Sequence, residues 1–362
     1  MTELSEQLNQ LKRNESKVTV ATLVNTRGTT PRKEGAKMLV GEGGRVLGSV
    51  TIGGCVDAQV IEESARVLGK NAPRLLELNL GDEEAWEIGL TCGGTIEVFL
   101  EPVALDDKDD ITLTYYERAR VHAERGGRAV IVTRLDAPHH GAKLLLLDDG
   151  GQEGSLGEAF LDQRFTAEAR EAMAAGKSRT LLLENVRAFA EVFSPPSTLV
   201  VVGASHVAMP LVTLARTLGF RTIVVDGRPR FATKERFPDV DDLRIGVPSE
   251  LVQQVPLIAT TALVLVAHDY KYDLPVLRHA LSTPVGYIGL LGSSRRGAAI
   301  LNLLREDGVA EDALLRVRVP IGLDLGAQSA PEIALSILAE ALATHRNATG
   351  MPISEKVRRG LK

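Results

Sequence analysis

Cysteine is almost missing from this chain of 362 residues: Cys55 and Cys92 are the only two. Two thiols so far apart cannot build a disulfide framework, and without a surrounding Cys/His set they do not spell a structural zinc site. Long hydrophobic runs are missing too, since no stretch approaches the roughly 18 apolar residues that cross a bilayer. The first sixteen residues are polar and hold no signal-peptide core. A cytoplasmic location with no membrane partner is therefore expected. Nor is there a surplus of positive charge: 42 basic residues face 47 acidic ones, for a net charge of −5. A nucleic-acid binder would carry a basic excess or stripe, so no nucleic-acid partner is expected.

What is present is ordinary for a folded, soluble chain, with 44% hydrophobic and 25% charged residues. That balance excludes a disordered tail or a fibre. The length calls for two or three separate cores.

Residues 1–16 read as a short polar helix or a frayed end. The Val- and Thr-rich stretch 18–24 reads as a strand that ends in a Gly/Thr/Pro turn at 25–31. Segments 38–40 and 45–47 read as a hairpin. Across 57–68 the apolar Val60, Ile61, Ala65 and Leu68 fall at helical spacing, and 75–80 and 95–100 read as further strands. An internal repeat then changes the domain count. Gly35-Ala36-Lys37 and Gly48-Ser49 recur as Gly141-Ala142-Lys143 and Gly154-Ser155, both displaced by 106. Glu97-Val98-Phe99 is echoed by Glu191-Val192-Phe193 at a displacement of 94, which requires a deletion in the second copy. Halves 18–102 and 129–196 thus read as copies of one α/β unit, joined by a helix over 115–124. Chance similarity of glycine-turn hairpins is the alternative. At the 106 displacement Cys55 corresponds to Leu161, so chemistry is expected in the first copy and a degenerate packing partner in the second.

From residue 197 the pattern changes. The continuous apolar run 199–202 suits a strand buried on both faces of a parallel sheet. Strands over 221–225, 262–267 and 285–291 follow, alternating with helices over 207–218, 274–281, 296–305 and 331–345. Alternation of this kind marks a doubly wound sheet.

The first turn of that sheet reads Gly203-Ala204-Ser205-His206-Val207-Ala208. Against G-x-G-x-x-G/A its ends fit, but the central glycine is Ser205, whose side chain narrows the approach of a pyrophosphate. Asp226 stands 23 residues after Gly203, near the spacing of a ribose-binding acid. The other strand ends carry Arg228, then His268-Asp269, then Gly292-Ser293 with Arg295, and Asp324 follows in a glycine-bounded loop. Ligands of open α/β sheets bind outside these ends, and a helix N-terminus with arginines suits an anion. Taken singly, each residue has a plainer explanation as a core-edge histidine or a solvated arginine. Taken together they point to a pocket.

Cys55, in Gly53-Gly54-Cys55, and Cys92, in Cys92-Gly93-Gly94, have small neighbours that leave sulfur accessible. Cys55 directly precedes the helix expected near Asp57, a position that favours thiolate. An inert, small apolar cysteine is the plainer reading. Arg27, Arg32 and Lys37 could supply positive charge nearby.

These residues also resemble the XdhC/CoxI family of xanthine dehydrogenase accessory proteins over nearly the whole chain. The resemblance rests on Gly53-Gly54-Cys55-Val56-Asp57, Cys92-Gly93-Gly94 and Glu101-Pro102. It continues in Val202-Gly203-Ala204-Ser205-His206, Val225-Asp226-Gly227-Arg228, Arg236-Phe237-Pro238, Gly289-Leu290-Leu291-Gly292-Ser293 and Pro320-Ile321-Gly322-Leu323-Asp324. It implies a chaperone that binds the molybdenum cofactor in its molybdopterin form. Such a chaperone assists sulfuration by a cysteine desulfurase and delivers its cargo to a molybdenum hydroxylase of the xanthine dehydrogenase type. Under that resemblance Cys55, with Cys92, contacts the metal, and the Ser205 and Arg295 rim takes the terminal phosphate.

The expected architecture is α/β: an N-terminal tandem α/β repeat followed by a C-terminal Rossmann-like, doubly wound parallel sheet domain. The expected segments are 1–103 with both cysteines, 104–196 as the degenerate copy, 197–346 as the Rossmann-like domain, and 347–362 as a tail. The expected cofactor-binding residues are Cys55, Cys92, Gly203, Ser205, His206, Asp226, Arg228, His268, Asp269, Gly292, Ser293, Arg295 and Asp324, with Cys55 as the molybdenum contact. No nucleophile–base–acid set is legible, so an accessory protein is favoured over an enzyme. The rivals are an NAD(P)-dependent oxidoreductase, suggested by Asp226, and a scaffold that docks on a dehydrogenase without a ligand. A homodimer is the default assembly.

Overall fold

Strand and helix follow from where the apolar residues fall. The computed structural model describes residues 8, 10–28, 32–51, 55–79, 94–267 and 269–360, with the Cys55 side chain outside that set. The chain divides into two compact units, Met1–Pro195 and Pro196–Lys362.

The first unit runs β1 (Lys17–Gly28), β2 (Lys37–Gly41), β3 (Val46–Gly48), α1 (Cys55–Lys70), β4 (Arg74–Asn79) and β5 (Gly94–Ala104). It continues with α2 (Ile111–Glu124), β6 (Ala129–Arg134), β7 (Lys143–Leu147), β8 (Gln152–Gly154), α3 (Ala159–Ala175), β9 (Arg179–Leu183) and β10 (Val186–Phe193). Among the described residues these make two five-stranded antiparallel sheets of matching order, β3-β2-β1-β5-β4 and β8-β7-β6-β10-β9. Each helix lays one apolar stripe on its sheet. Val56, Val60 and Val67 of α1 pack on Val98 and Leu100, while Phe165, Ala169 and Ala172 of α3 pack on Ala188 and Ala190.

Register fixes how the halves correspond, and it corrects two expectations. Thr22 lies opposite Lys37 and Phe99, as Thr133 lies opposite Lys143 and Phe189. Phe189 therefore takes the place of Phe99, and Glu191 that of Glu101. The expected match of Glu97-Val98-Phe99 with Glu191-Val192-Phe193 is four residues out. A strand alternates its faces with period 2, so a four-residue slip keeps every side chain on its face and is invisible to pattern matching. Likewise Ser49 donates to Asp57 as Ser155 donates to Asp162. With one residue fewer between Ser155 and Asp162, Cys55 corresponds to Phe160 and not to Leu161. Cys55 also opens α1, not preceding it as expected. The main length difference falls between the last two strands. Residues 80–93 separate β4 from β5, whereas only Glu184 and Asn185, both at positive φ (51° and 73°), separate β9 from β10. That is the backbone of a tight two-residue hairpin. Cys92 lies in the longer connection, outside the described residues.

The halves meet around an approximate two-fold axis. Val24 and Phe99 pack against Leu135 and Phe189, their counterparts. Lys37 Nζ lies 3.0 Å from Glu191, and Lys143 Nζ lies 2.8 Å from Glu101, so each half's lysine reaches the other half's glutamate. Nearer the axis Glu97 accepts from Arg187 at 2.7 Å and from Asn25 at 2.7 Å, and Arg187 also binds Asp136. Removing one partner of a buried pair strands the other charge, at about 3–5 kcal/mol. Lys143 and Glu101 are 1% and 7% exposed. Glu101→Gln should therefore lower the unfolding free energy by about that amount in a urea titration. Glu191→Gln should cost distinctly less, because that pair is less enclosed and Lys37 keeps the Tyr116 hydroxyl besides the threonine that each lysine holds. Equal losses would contradict the assignment of Lys143–Glu101 as the more deeply enclosed pair.

The second unit runs β11 (Thr198–Val202), α4 (Ala208–Thr217), β12 (Arg221–Asp226), β13 (Asp242–Ile245), α5 (Pro248–Gln253), β14 (Thr261–Leu265), α6 (Tyr270–Leu281) and β15 (Tyr287–Leu290). It closes with α7 (Ser294–Glu306), α8 (Glu311–Leu314), β16 (Val317–Arg318), α9 (Ala330–His345) and α10 (Ile353–Arg358). Among the described residues the sheet is six-stranded and parallel, in the order β13-β12-β11-β14-β15-β16. It is the expected doubly wound, Rossmann-like domain. Alternate residues of β11 face two cores: Leu199 and Val201 meet α4 and α9, and Val200 and Val202 meet α6 and α7. The order reverses between β11 and β14, which puts the crevice at their carboxyl ends. Among the described residues no helix is long and apolar enough to cross a membrane.

Candidate functional site

At that reversal the chain turns sharply. Gly203 ends β11 at φ +112°, and a Cβ there would stand 2.6 Å from the Ala267 nitrogen, so only glycine lets the ends of β11 and β14 approach this closely. The turn is held from both sides. Ala204 donates its N–H to Asp226 Oδ2 at 2.5 Å, and its carbonyl accepts from Arg236 at 3.1 Å. Arg236 came from the family resemblance without a role; here it braces the turn.

Asp226 is 3% exposed and ends β12. Besides Ala204 N–H, it accepts from the Arg228 backbone N–H (2.7 Å), Nε (2.9 Å) and Nη2 (2.7 Å). Burial alone would raise its pKa, but the bonds from Arg228 and Ala204 outweigh burial and hold it below the usual carboxylate range. Four donors fill the roughly four lone-pair sites of a carboxylate. Arg228 also lies over the Phe231 ring, 4.5 Å from its centroid.

Gly203, Asp226, Gly227, Arg228, Pro248, Ala267, Asp269 and Tyr272 enclose a cavity of about 50 Å³. That is room for a few water molecules or for the edge of a ring. Of the residues expected from sequence, Gly203, Asp226, Arg228 and Asp269 line it. Ser205 lies in the turn beside it, with its Oγ buried and without a hydrogen-bond partner among the described residues. His206 is exposed. Gly292 and Ser293 lie between β15 and α7, where the Ser293 hydroxyl caps the helix by accepting from the Arg296 N–H, and Arg295 is exposed in the first turn of α7. Asp324 sits exposed in the loop before α9. None of these last four lines the cavity, so the expected single rim is split. His268, Cys92 and the Cys55 side chain lie outside the described residues. Lys37 is committed to its cross-half contacts, Arg32 donates to the Ser49 carbonyl, and Arg27 is exposed. Among the described residues no three His, Cys, Asp or Glu side chains gather as a metal set.

Sequence reading gave Gly227 no place in the site, and it missed Tyr272 and Asp273 because it began α6 four residues late. The signal was available: Asp269 is an N-cap that accepts from the Lys271 N–H at 3.0 Å, and an Asp cap starts a helix at the next residue. Asp273, wholly buried in the first turn, takes Arg296 Nη2 at 2.5 Å, and the Arg296 guanidinium covers the Tyr270 ring at 4.7 Å. Burial pushes the Asp273 pKa up to about 6; Arg296 opposes the shift without cancelling it, and nearby Asp269 adds to it. A carboxyl raised above 3.8 binds its proton more tightly folded than unfolded. Stability from this group is therefore fully present at low pH and lost as pH climbs through the folded value. Relative to Asp273→Asn, the natural chain should lose up to about 3 kcal/mol between roughly pH 4 and pH 7. A pH-independent difference in unfolding free energy would refute that protonation.

The sheet with its crevice defines a Rossmann-type domain, and likeness to known proteins gives its kin. A sequence profile described as the XdhC Rossmann domain matches residues 199–341. A second, described as the XdhC and CoxI family, matches residues 11–79 and 122–184. The chain belongs to the XdhC/CoxI family. It is 27% identical over 342 residues to a Bacillus subtilis protein named as a probable xanthine dehydrogenase subunit, covering 94% of this chain and 96% of that one. It is 28% identical over 324 residues to the Escherichia coli molybdenum cofactor insertion chaperone PaoD, covering 89% and 81%. A crystal structure described as a xanthine dehydrogenase from Bacillus halodurans superposes with a TM-score of 0.76 at 27% identity, covering 94% of this chain and 95% of that one.

Proposed function

We propose that this protein is a molybdenum-cofactor chaperone: it binds molybdopterin-type cargo, holds it during sulfuration by a cysteine desulfurase, and delivers it to a molybdenum hydroxylase of the xanthine dehydrogenase type. The observation that carries this reading is the near full-length likeness to a cofactor insertion chaperone, PaoD. The residues are chemically compatible with such cargo. The cargo combines a pterin, a phosphate and a soft, thiophilic metal centre, for which a thiolate is the matching ligand. Cys55 opens α1, and a helix N-terminus favours thiolate, so Cys55 is the proposed metal contact. Arg295 at the start of α7 is the proposed phosphate partner. The rival, a nicotinamide-dependent oxidoreductase, needs an acid free to accept a ribose hydroxyl. Asp226 has its acceptor sites filled.

The test is anaerobic isolation from molybdenum-replete cells. Molybdenum and pterin fluorescence should accompany the chain in near-stoichiometric amount. Cys55→Ser should lose the metal while keeping its melting temperature. A metal-free, pterin-free chain that binds reduced dinucleotide tightly and transfers hydride would favour the oxidoreductase.

A further inference from the structure

We infer that the cavity at the ends of β11, β12 and β14 takes the N–H-bearing edge of a heterocycle, the 2-amino-4-oxo edge of a pterin, and not a phosphate. This rests on the chaperone reading for the identity of the cargo, but its argument is local.

An anion entering here would meet an arginine already paired with a carboxylate. The Ala204 N–H and the Nε and Nη2 of Arg228 all point at Asp226, so the guanidinium charge is neutralised in place. By formal charge the acidic and basic residues lining the void, Asp226, Asp269 and Arg228, leave an excess of one negative charge. Phosphate would be repelled.

The unused polar atoms have the opposite preference. Asp269 spends Oδ1 on the Lys271 N–H and leaves Oδ2 without a partner among the described residues. The Tyr272 hydroxyl makes no hydrogen bond among them either. The exposed Asp269 and the half-buried Tyr272 both line this one small space, and a carboxylate with a hydroxyl calls for N–H donors beside an acceptor. The amino N–H and ring N–H of a 2-aminopyrimidinone supply adjacent donors, and its carbonyl can accept from tyrosine. Shape agrees. A cavity of about 50 Å³ accommodates a ring edge and not a dinucleotide. A Cβ on Gly227 would stand 3.4 Å from the Tyr272 oxygen, an ordinary contact that narrows the space without straining the backbone.

The probe is 6-hydroxymethylpterin, titrated by fluorescence into the full chain, with inorganic phosphate as competitor. Saturable binding is expected. It should weaken at least about tenfold in Asp269→Asn, since a bond to a charged acceptor is lost. It should fall less in Tyr272→Phe, nearly vanish in Gly227→Ala, and be indifferent to millimolar phosphate. Asparagine still caps α6 and alanine fits at 227, so melting temperatures should hold. Unchanged affinity in Asp269→Asn and Gly227→Ala, displacement by phosphate, or no pterin binding at all overturns the assignment. The two readings fail separately. A chain isolated with molybdenum and pterin whose Asp269 and Gly227 variants load normally keeps the chaperone and loses this cavity. A chain isolated empty whose pterin binding collapses in those variants keeps the cavity and loses the chaperone.

Discussion

One carboxylate organises the second unit's crevice. Asp226 ties the turn after β11 to the end of β12 through the Ala204 N–H, and fixes Arg228 through three further bonds. Buried ionised groups survive only when their lone pairs are met, and here all are met from two adjacent loops. The consequence is a turn built on the plan of a nucleotide fingerprint whose Gly203 and Ala204 N–H groups serve the protein itself. What remains open to a ligand is decided by what Asp226 leaves over.

The same economy of polar groups governs the first unit. Its two sheets share a strand order, and the contacts across the axis are mostly pairs of counterparts: Phe99 with Phe189, Lys37–Glu191 against Lys143–Glu101. The halves differ most at the connection between their last two strands, fourteen residues in one and two in the other. One of the two cysteines falls in the longer connection.

How much could be read beforehand depended on how locally each feature is encoded. The strand at 199–202 and the amphipathic helix at 331–345 declare themselves through apolar runs and spacing, and both stand within a residue of expectation. The short edge strands Asp242–Ile245 and Val317–Arg318 carry little apolar pattern and are strands only because a neighbour offers backbone partners. In the site, Gly203 and Asp226 were legible from motif spacing. The saturation of Asp226 was not, because Arg228 and Ala204 meet it only once the sheet has formed. Tyr272 and Asp273 were hidden by Pro275, which reads as a helix start yet lies inside α6. Arg295 and Arg296 are neighbours of one type in the sequence, but one is solvated and the other is drawn down to a buried aspartate.

The pairing of Glu97 with Arg187 has a consequence for assembly between chains. These two occupy equivalent positions beside the axis. If two first halves from different molecules docked in the same way, a glutamate would confront a glutamate; two second halves would oppose arginine to arginine. Only the unlike combination satisfies both. The sequence thereby favours joining a first half to a second half over docking two like halves from neighbouring molecules, in a fold whose sheets would otherwise have little means of telling one half from the other.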